Sequence, residues 1–277
     1  MEHISYLMYF TPRFNIYISI AAGLRRKGIL YTVSMPPKSQ IDETFPFVSV
    51  ITPTYNRARF IPHLIKCYKD QTYPQARMEW IILDDGTESV EELFKDTGIP
   101  NLRYIRETEK KNIGAKRNRL NDEARGEIIV AMDDDDFYMP VRVAAVVNAF
   151  KKFPSIQLAG TSEVFMYYSD IQMIYKLGPY NANHATNGTM GWRDSYKKNH
   201  RYDETVTHAE ERSFLDDYKN QMIQLDPRKV MLVMSHSENT FDKKKMREQE
   251  NPFVKKTTMK LRDFIKDGNI RDFYATA

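Results

Sequence analysis

The chain has 277 residues, of which 42% are hydrophobic and 28% are charged, and its formal net charge is +4. These values are typical of a soluble globular protein, and the small charge does not indicate a nucleic-acid partner. The single cysteine, Cys67, excludes an internal disulfide and a cysteine metal cage, so we expect a cytoplasmic protein.

Residues 1–45 have no clear hydrophobic period and end in a connector rich in proline and polar residues, so they are predicted to be an N-terminal extension and linker. The apolar segment at 14–24, "FNIYISIAAGL", is about half as long as the ~20 residues of a membrane span. A buried strand or helix is predicted there, and the alternative is an anchor on a membrane surface.

From residue 46 onward, apolar strand patterns alternate with helical patterns. Such alternation predicts an α/β fold with a mostly parallel central sheet and helices on both of its faces. The predicted strands are 47–52, 78–83, 101–106 and 127–132, and the predicted helices are 58–71, 90–97, 113–125 and 141–153.

Polar clusters follow three of these strands, at 53–57, 84–87 and 133–136. The carboxyl ends of parallel strands meet at one edge of a sheet, and ligands bind outside that edge. We therefore expect the three clusters to line one ligand site.

The second half of the chain is less regular. Short aromatic strands at 163–169 and 171–178 predict a smaller α+β portion that caps the edge of the sheet from one side. The tail, 242–277, has eight Lys or Arg residues between 243 and 262. We predict that this basic tail is a solvated helical face, and the alternative is docking to an anionic membrane or a lipid-linked acceptor.

The segment "EIIVAMDDDDFYMP" places four adjacent carboxylates, Asp133 to Asp136, directly after a predicted strand. Adjacent anions repel one another unless a cation, a donor group or water screens them. One interpretation is an acidic cap for the helix that begins near Pro140. The other is a site for Mg²⁺ or Mn²⁺, because these ions prefer hard oxygen ligands. His236, which follows another apolar run, is either a further ligand or a structural histidine.

The segment "NIGAKRN" places Gly114 at a predicted helix start, with Lys116 and Arg117 one turn further on. A helix N-terminus and cationic side chains favour phosphate binding. The alternative is a solvated amphipathic helix. Neither the dinucleotide-binding glycine motif nor the P-loop motif is present in the sequence.

Five segments occur in the order found in family 2 glycosyltransferases of the GT-A fold, which the chain resembles over about residues 46–241. They are "VSVITPTYNR", "WIILDDGT", "NIGAKRN", "ARGEIIVAMDDDDFYMP" and "HAEERSF". The resemblance implies a nucleotide-sugar-binding half at 46–140 and an acceptor-side half at 141–241.

The resemblance also implies contacts to a nucleotide-sugar donor. Thr54 and Tyr55 match positions that contact the base and the ribose, and Asp84 matches the aspartate that accepts from the uracil imide. Lys116 and Arg117 match the basic residues near the base and the diphosphate. Further candidate donor-binding residues in these motifs are Pro53, Arg57, Asp85, Asn112 and Gly114.

In the acidic segment, Asp133 and Asp135 match the two acids of the family's DxD motif. The first is expected at the ribose and the metal and the second at the metal, with Asp134 able to share either role. His236 is a candidate metal ligand, and the metal implied is Mn²⁺ or Mg²⁺. Gly188, in "NGTM", matches a small-residue loop beside the donor sugar.

The segment "AEER" falls where the family usually has Glu-Asp, whose second acid is the catalytic base. That position is Glu211 here, which departs from the common aspartate, and Glu210 remains a rival. The residues that follow, 212–218, are predicted to continue as a helix.

The resemblance thus implies a metal-dependent, inverting transfer of a sugar from a UDP-linked donor to a hydroxyl of a carbohydrate, lipid-linked or protein acceptor. Two alternatives are a sugar-phosphate nucleotidyltransferase and a nucleotide-sugar-binding protein without turnover. A glycine-rich N-terminal loop typical of the former is missing at 53–57, and the presence of Glu210 and Glu211 argues against the latter.

Overall fold

The computed structural model describes residues 44–239, 243–248 and 251–277. The apolar segment at 14–24 and nearly all of the predicted N-terminal extension lie outside these residues. The described residues belong to one compact unit. Strands from both sides of residue 140 share one sheet. The predicted division there, into a donor-binding half and an acceptor-side half, stays a prediction.

Two sheets are built from the strands of the described residues. A seven-stranded sheet has the order β10-β6-β9-β4-β1-β2-β3, and a five-stranded sheet has the order β12-β8-β7-β11-β5. The strands are β1 (Val48–Thr54), β2 (Met78–Asp84), β3 (Leu102–Arg106), β4 (Ile128–Ala131), β5 (Phe137–Tyr138), β6 (Leu158–Gly160), β7 (Val164–Tyr168), β8 (Met173–Leu177), β9 (Gly191–Arg193), β10 (Met222–Gln224), β11 (Met231–Ser235) and β12 (Val254–Lys256).

The helices of the described residues vary widely in length. The α-helices are α1 (Ile61–Lys69), α2 (Ile113–Glu123), α3 (Arg142–Lys152), α4 (Asp194–Lys197), α5 (Glu211–Phe214), α6 (Lys245–Glu248), α7 (Leu261–Phe264) and α8 (Gly268–Thr276). Single 3-10 turns occur at Gln75–Arg77, Glu91–Phe94, Asn187–Thr189 and Pro227–Lys229. Within the described residues, no helix is long and apolar enough to cross a membrane.

The seven-stranded sheet is mostly parallel, as predicted. Strand β1 pairs in parallel with β2 and β4, and β2 pairs in parallel with β3. All seven residues of β1 and of β2 are buried, because helices cover both faces. Val50 packs with α1 and α3 on one face, whereas Ile51 packs with α2 on the other.

Polar residues inside these buried strands form hydrogen bonds with one another. The Ser49 hydroxyl donates to Glu79 at 2.6 Å, and the Thr52 hydroxyl donates to the Met132 carbonyl at 2.7 Å. Pro53 does not end β1, contrary to prediction. Strand β4 pairs only as far as Ile51, so at Pro53 that side of β1 is an edge where a missing N–H is tolerated.

Two predicted helices are wrong or too long. The helix predicted at 90–97 is one 3-10 turn, Glu91–Phe94, and the chain turns away through a left-handed Asp96 with φ 55°. The helix expected to continue after Glu211 ends at Phe214, and residues 216–218 all have positive φ. Left-handed residues cannot continue a right-handed helix.

The basic tail is not a single helical face. In its described part, β12 pairs with β8, and Phe264, Ile265, Ile270 and Tyr274 are buried in the core. Lysines of the tail are exposed, and the alternative of docking to a membrane stays untested.

The polar clusters after β1, β2 and β4 lie at one edge of the sheet. The amide oxygen of Asn56, a left-handed residue after β1, accepts a hydrogen bond from the backbone N–H of Thr87 at 2.8 Å. This bond joins the first two loops, so they form one wall.

Gly114 allows the first turn of α2 to pack against the backbone at residues 203–204. A Cβ added at Gly114 would lie 2.0 Å from the carbonyl oxygen of Asp203. This close packing accounts for a glycine at this position, and whether Gly114 also lies beside a bound donor stays a prediction.

We expect Gly114→Ala to lower the free energy of unfolding by roughly 1–3 kcal/mol, because either the helix or the 203–204 backbone must move. Gly268→Ala, at the start of α8, is the control, since its Cβ would meet no atom closer than 3.7 Å. Urea denaturation measures the free energy of unfolding of both variants. Equal stability of the two variants would show that the contact at Gly114 does not constrain the fold.

Candidate active site

A cavity of about 310 Å³ lies where β1 and β4 end. It brings together eight of the residues predicted from the sequence, together with three that were not predicted. Its lining residues are Pro53, Tyr55, Arg57, Lys110, Ile113, Lys116, Arg117, Asp133, Asp134, Asp135 and Glu238.

The four adjacent aspartates point to different partners. Asp133 accepts from Arg117 at 2.9 Å, and Asp135 lies 3.2 Å from Nε2 of His236. Asp136 accepts from the backbone N–H of Met234 in β11 at 2.7 Å, away from the cavity. Asp134 lines the cavity and is nearly buried. The turn therefore directs its four carboxyl groups to different places instead of collecting them at one point.

The neighbours of these aspartates give them different acidities. Burial by itself would raise the pKa of Asp135, but the hydrogen bond from His236 and the charges of Lys243 and Arg57 hold it below the ordinary value. Burial raises the pKa of Asp134 and of Asp136, and the charge of Asp135 adds to both shifts. Asp135 is thus an anion at neutral pH.

His236 is buried against Phe60, with the ring centroids 4.7 Å apart. Its Nδ1 accepts from the backbone N–H of Glu238 at 3.2 Å. Its Nε2 faces Asp135 Oδ2 at 3.2 Å. His236 therefore orients Asp135 in this structure.

The donor set of this corner fits a divalent cation only when other ligands complete its shell. Among the described residues, no group of three or more His, Cys, Asp or Glu side chains is arranged to hold a metal ion. Mg²⁺, however, is commonly bound through one or two carboxylates together with substrate phosphates and water. Asp135, which is anionic, and Asp133, two residues before it, both line the cavity, so they can supply the one or two carboxylates that such a site needs.

Asp84 and Asp85 lie behind the cavity wall. Asp84 is fully buried and accepts from the backbone N–H groups of Gly86 and Val90, from the Tyr104 hydroxyl and from Arg106. These four donors hold the loop after β2 in place. Whether a donor base also reaches Asp84 stays a prediction.

Asp85 is buried too, and it accepts from the backbone N–H of Lys111 and from Lys116 Nζ, each within 2.8 Å. Lys116 is therefore neutralised inside the protein, although part of its side chain lines the cavity.

Arg117 is likewise paired internally. Its Nε donates to Glu210 at 2.7 Å and its terminal nitrogen donates to Asp133 at 2.9 Å. Burial by itself would lower the pKa of Arg117, but Asp133 and Glu210 raise it well above the ordinary value.

The remaining candidates support the walls of the site. The amide of Asn112 donates to the backbone of Glu204 at 3.0 Å. A Cβ at Gly188 would lie 3.0 Å from Asp133 Oδ2 and 3.1 Å from the Tyr138 hydroxyl. The Thr54 hydroxyl is buried, and its interaction with Asp134 opposes the rise in the pKa of that residue.

Lys110, Glu238 and Asn239 were missed from the sequence. Lys110 is exposed, and its Nζ lies 4.2 Å from the centroid of the Tyr55 ring. Glu238 forms ion pairs with Arg57 and Arg59, and Asn239 donates to Asp135 at 3.1 Å. The only sequence signal was proximity to "NIGAKRN" for Lys110 and to His236 for the other two.

Glu210 and Glu211 have different environments. Glu210 is buried in its ion pair with Arg117. Glu211 is half-buried and has no ion-pair partner among the described residues. Burial, reinforced by the charge of Glu210, raises the pKa of Glu211 to about 7. A carboxylate with this pKa accepts and releases a proton near neutral pH.

Solved structures define the class of fold. TarS 1–349 of S. aureus in complex with UDP-GlcNAc aligns with a TM-score of 0.56 and 19% identity, covering 70% of this chain and 60% of that one. The mannosyltransferase PcManGT of Pyrobaculum calidifontis, in complex with GDP-Man and Mn²⁺, aligns with a TM-score of 0.54 and 18% identity, covering 70% and 58%. The predicted GT-A type of α/β fold is confirmed.

Residues 49–226 match the model of glycosyl transferase family 2. The chain belongs to this family, which confirms the prediction made from its motifs. Glycosyltransferase AglE of Haloferax volcanii is 35% identical over 96 residues, which are 33% of this chain and 31% of AglE. The chain spans about a third of the length of the first curated relatives that it matches.

We expect Asp84→Asn to lower the free energy of unfolding by about 2 kcal/mol, because it weakens a buried carboxylate network with Arg106. The control is Asp70→Asn, which breaks an exposed pair with Lys66 and should cost less than about 0.5 kcal/mol. Chemical denaturation compares the two. An unchanged stability of Asp84→Asn, together with lost nucleotide binding, would assign Asp84 to the donor instead of the loop.

Proposed function

We propose that the protein is an inverting glycosyltransferase that moves a sugar from a nucleotide-sugar donor, expected to be UDP-linked, to an acceptor hydroxyl. The observation that carries this proposal is the contrast at 210–211: Glu210 is ion-paired, whereas Glu211 is unpaired with a pKa of about 7. Arg117 connects this pair to the acidic edge of the cavity. Carbohydrate, lipid-linked and protein acceptors are all compatible with this chemistry.

The donor occupies the cavity in this proposal. Tyr55, with Lys110 Nζ above its ring, would lie beside the base, and the exposed Lys110 and the partly exposed Arg57 offer positive charge for the diphosphate. The nucleotide is a matter for experiment, because TarS and PcManGT were solved with different ones, UDP-GlcNAc and GDP-Man.

A divalent cation, Mn²⁺ or Mg²⁺, would be held by Asp135 with help from Asp133, and His236 either keeps Asp135 in position or becomes a ligand itself. When bound, such a cation offsets the negative charge that develops on the leaving diphosphate. Asp135 suits this role because its low pKa keeps it ionised. PcManGT was solved with Mn²⁺, which supports the choice of ion.

Glu211 is the base in the transfer step. Its carboxylate removes the proton of the acceptor hydroxyl while that oxygen attacks the anomeric carbon, and the bond from this carbon to the diphosphate oxygen breaks. The attack comes from the face opposite the leaving group, so the anomeric configuration inverts. A single displacement needs no covalent enzyme intermediate, and the acceptor proton remains on Glu211 until solvent takes it.

We expect Asp135→Ala to weaken the binding of UDP in the presence of Mn²⁺ by at least about tenfold, since the proposed cation loses its main carboxylate. Isothermal titration calorimetry with UDP and, in parallel, GDP measures the affinity. Asp122→Ala, which removes an exposed carboxylate paired with Arg201, is the control and should bind normally. Unchanged affinity in Asp135→Ala, or in the wild type with EDTA, contradicts the metal assignment.

We expect Glu211→Gln to lose about 10²–10⁴-fold in kcat while nucleotide affinity stays nearly constant, because only the proton transfer is removed. Glu210→Gln should retain substantial activity. For the wild type, kcat/KM should rise with pH through about 7 as Glu211 loses its proton. Donor hydrolysis measured over a panel of UDP- and GDP-sugars provides the readout. A silent Glu210→Gln with an active Glu211→Gln would move the base to Glu210.

A further inference from the structure

The guanidinium of Arg117 lies between the two acidic parts of the site. It donates from Nε to Glu210 at 2.7 Å and from a terminal nitrogen to Asp133 at 2.9 Å. With the Asn187 amide oriented so that its oxygen faces the guanidinium, that oxygen accepts from the same terminal nitrogen at 2.7 Å. The amide nitrogen of Asn187 then donates to the Tyr202 hydroxyl at 2.6 Å.

These contacts leave Arg117 little freedom to reach a ligand. Its side chain is 5% exposed, and the planar guanidinium already faces two carboxylates and an amide oxygen. Lys110, which is exposed, and Arg57 have more accessible cationic groups in the same cavity.

We propose that Arg117 is a positioning residue that links the donor side of the site to the base. By pairing with Asp133 after β4 and with Glu210 at the start of α5, it fixes the distance between the metal-side aspartates and Glu211. This inference rests on the proposed function, and it assigns Arg117 no contact with the diphosphate.

The pairing with Glu210 holds the segment that carries Glu211. Helix α5 has only four residues, and the chain before it makes a left-handed turn at Ala209 with φ 55°. So short a helix has little stability of its own. The buried ion pair between Arg117 and Glu210 supplies a fixed point one residue before Glu211.

Charges on several elements act on Glu211. Glu210 beside it and Asp133 after β4 disfavour its ionised form, and Arg117 in α2 favours it. Tyr202 and Tyr218 also interact electrostatically with Glu211. Removing the charge of Glu210 should therefore lower the pKa of Glu211, and removing the charge of Arg117 should raise it.

NMR titration of protein labelled with ¹³C at the glutamate carboxyl groups measures this pKa directly, with the Glu211 signal assigned by its loss in Glu211→Gln. We expect Glu210→Gln, which keeps a hydrogen-bond acceptor, to lower the pKa of Glu211 by about one unit, and Arg117→Gln to raise it by a similar amount. Arg117→Gln should also weaken UDP binding with Mn²⁺ by about tenfold or less, because Asp133 loses its partner.

Arg201→Gln is the matched control. It removes another arginine–carboxylate pair of α2, with Asp122, on an exposed surface. It should leave both the pKa of Glu211 and UDP affinity unchanged. Should Arg117→Gln fail to fold, Arg117→Lys retains the charge but cannot bridge both carboxylates, so it should keep the pKa shift small while lowering kcat with little change in donor KM.

Two results would overturn the proposal. One is a pKa of Glu211 that does not respond to Glu210→Gln. The other is an Arg117→Gln variant that loses UDP binding by a hundredfold or more with the pKa of Glu211 unchanged, which would make Arg117 a donor ligand. The titration does not depend on turnover, so opposite pKa shifts combined with a fully active Glu211→Gln would uphold the network and reject Glu211 as the base.

Discussion

The compensation of negative charge in one turn is the constraint on which the site depends. Four adjacent carboxyl groups, Asp133 to Asp136, are tolerated because three of them have separate partners. Asp133 pairs with Arg117, Asp135 with His236, and Asp136 with the backbone of β11. Partners from α2, from the end of β11 and from within it must therefore meet at the end of β4. The acidic turn thus joins the two sheets, since Asp136 bonds to the five-stranded one.

The positive charge at the cavity is divided in the same way. Lys116 is neutralised by the buried Asp85, and Arg117 by the buried Glu210 and the partly exposed Asp133, so both cations strengthen the walls more than they attract an anion. The accessible cationic groups are Lys110 and Arg57, and Arg57 is itself close to Glu238. A diphosphate beside Asp133–Asp135 would meet little free positive charge, which is a physical reason for a divalent cation in the proposed mechanism.

Much of the fold could be predicted because its signals are local. The four parallel strands and helices α1 and α3 have runs of apolar residues whose period fits only one type of structure. The failures occurred where left-handed residues or strand pairing ended a pattern typical of a helix. At 90–97 and 215–218, left-handed residues end the helices, and the pattern of apolar residues does not predict these left-handed positions. In the tail, where a helix was predicted, β12 pairs with β8 as an edge strand.

The sequence by itself determined the family, the parallel sheet and the gathering of three polar clusters at one edge, because strand order and motif order are written along the chain. Tertiary structure alone decided which charges are free. Lys116 pairs with Asp85, and Arg117 pairs with Asp133 and Glu210. Glu211 has no ion pair among the described residues. Ion pairing depends on distances between side chains that are up to 93 residues apart, and no local pattern encodes those distances.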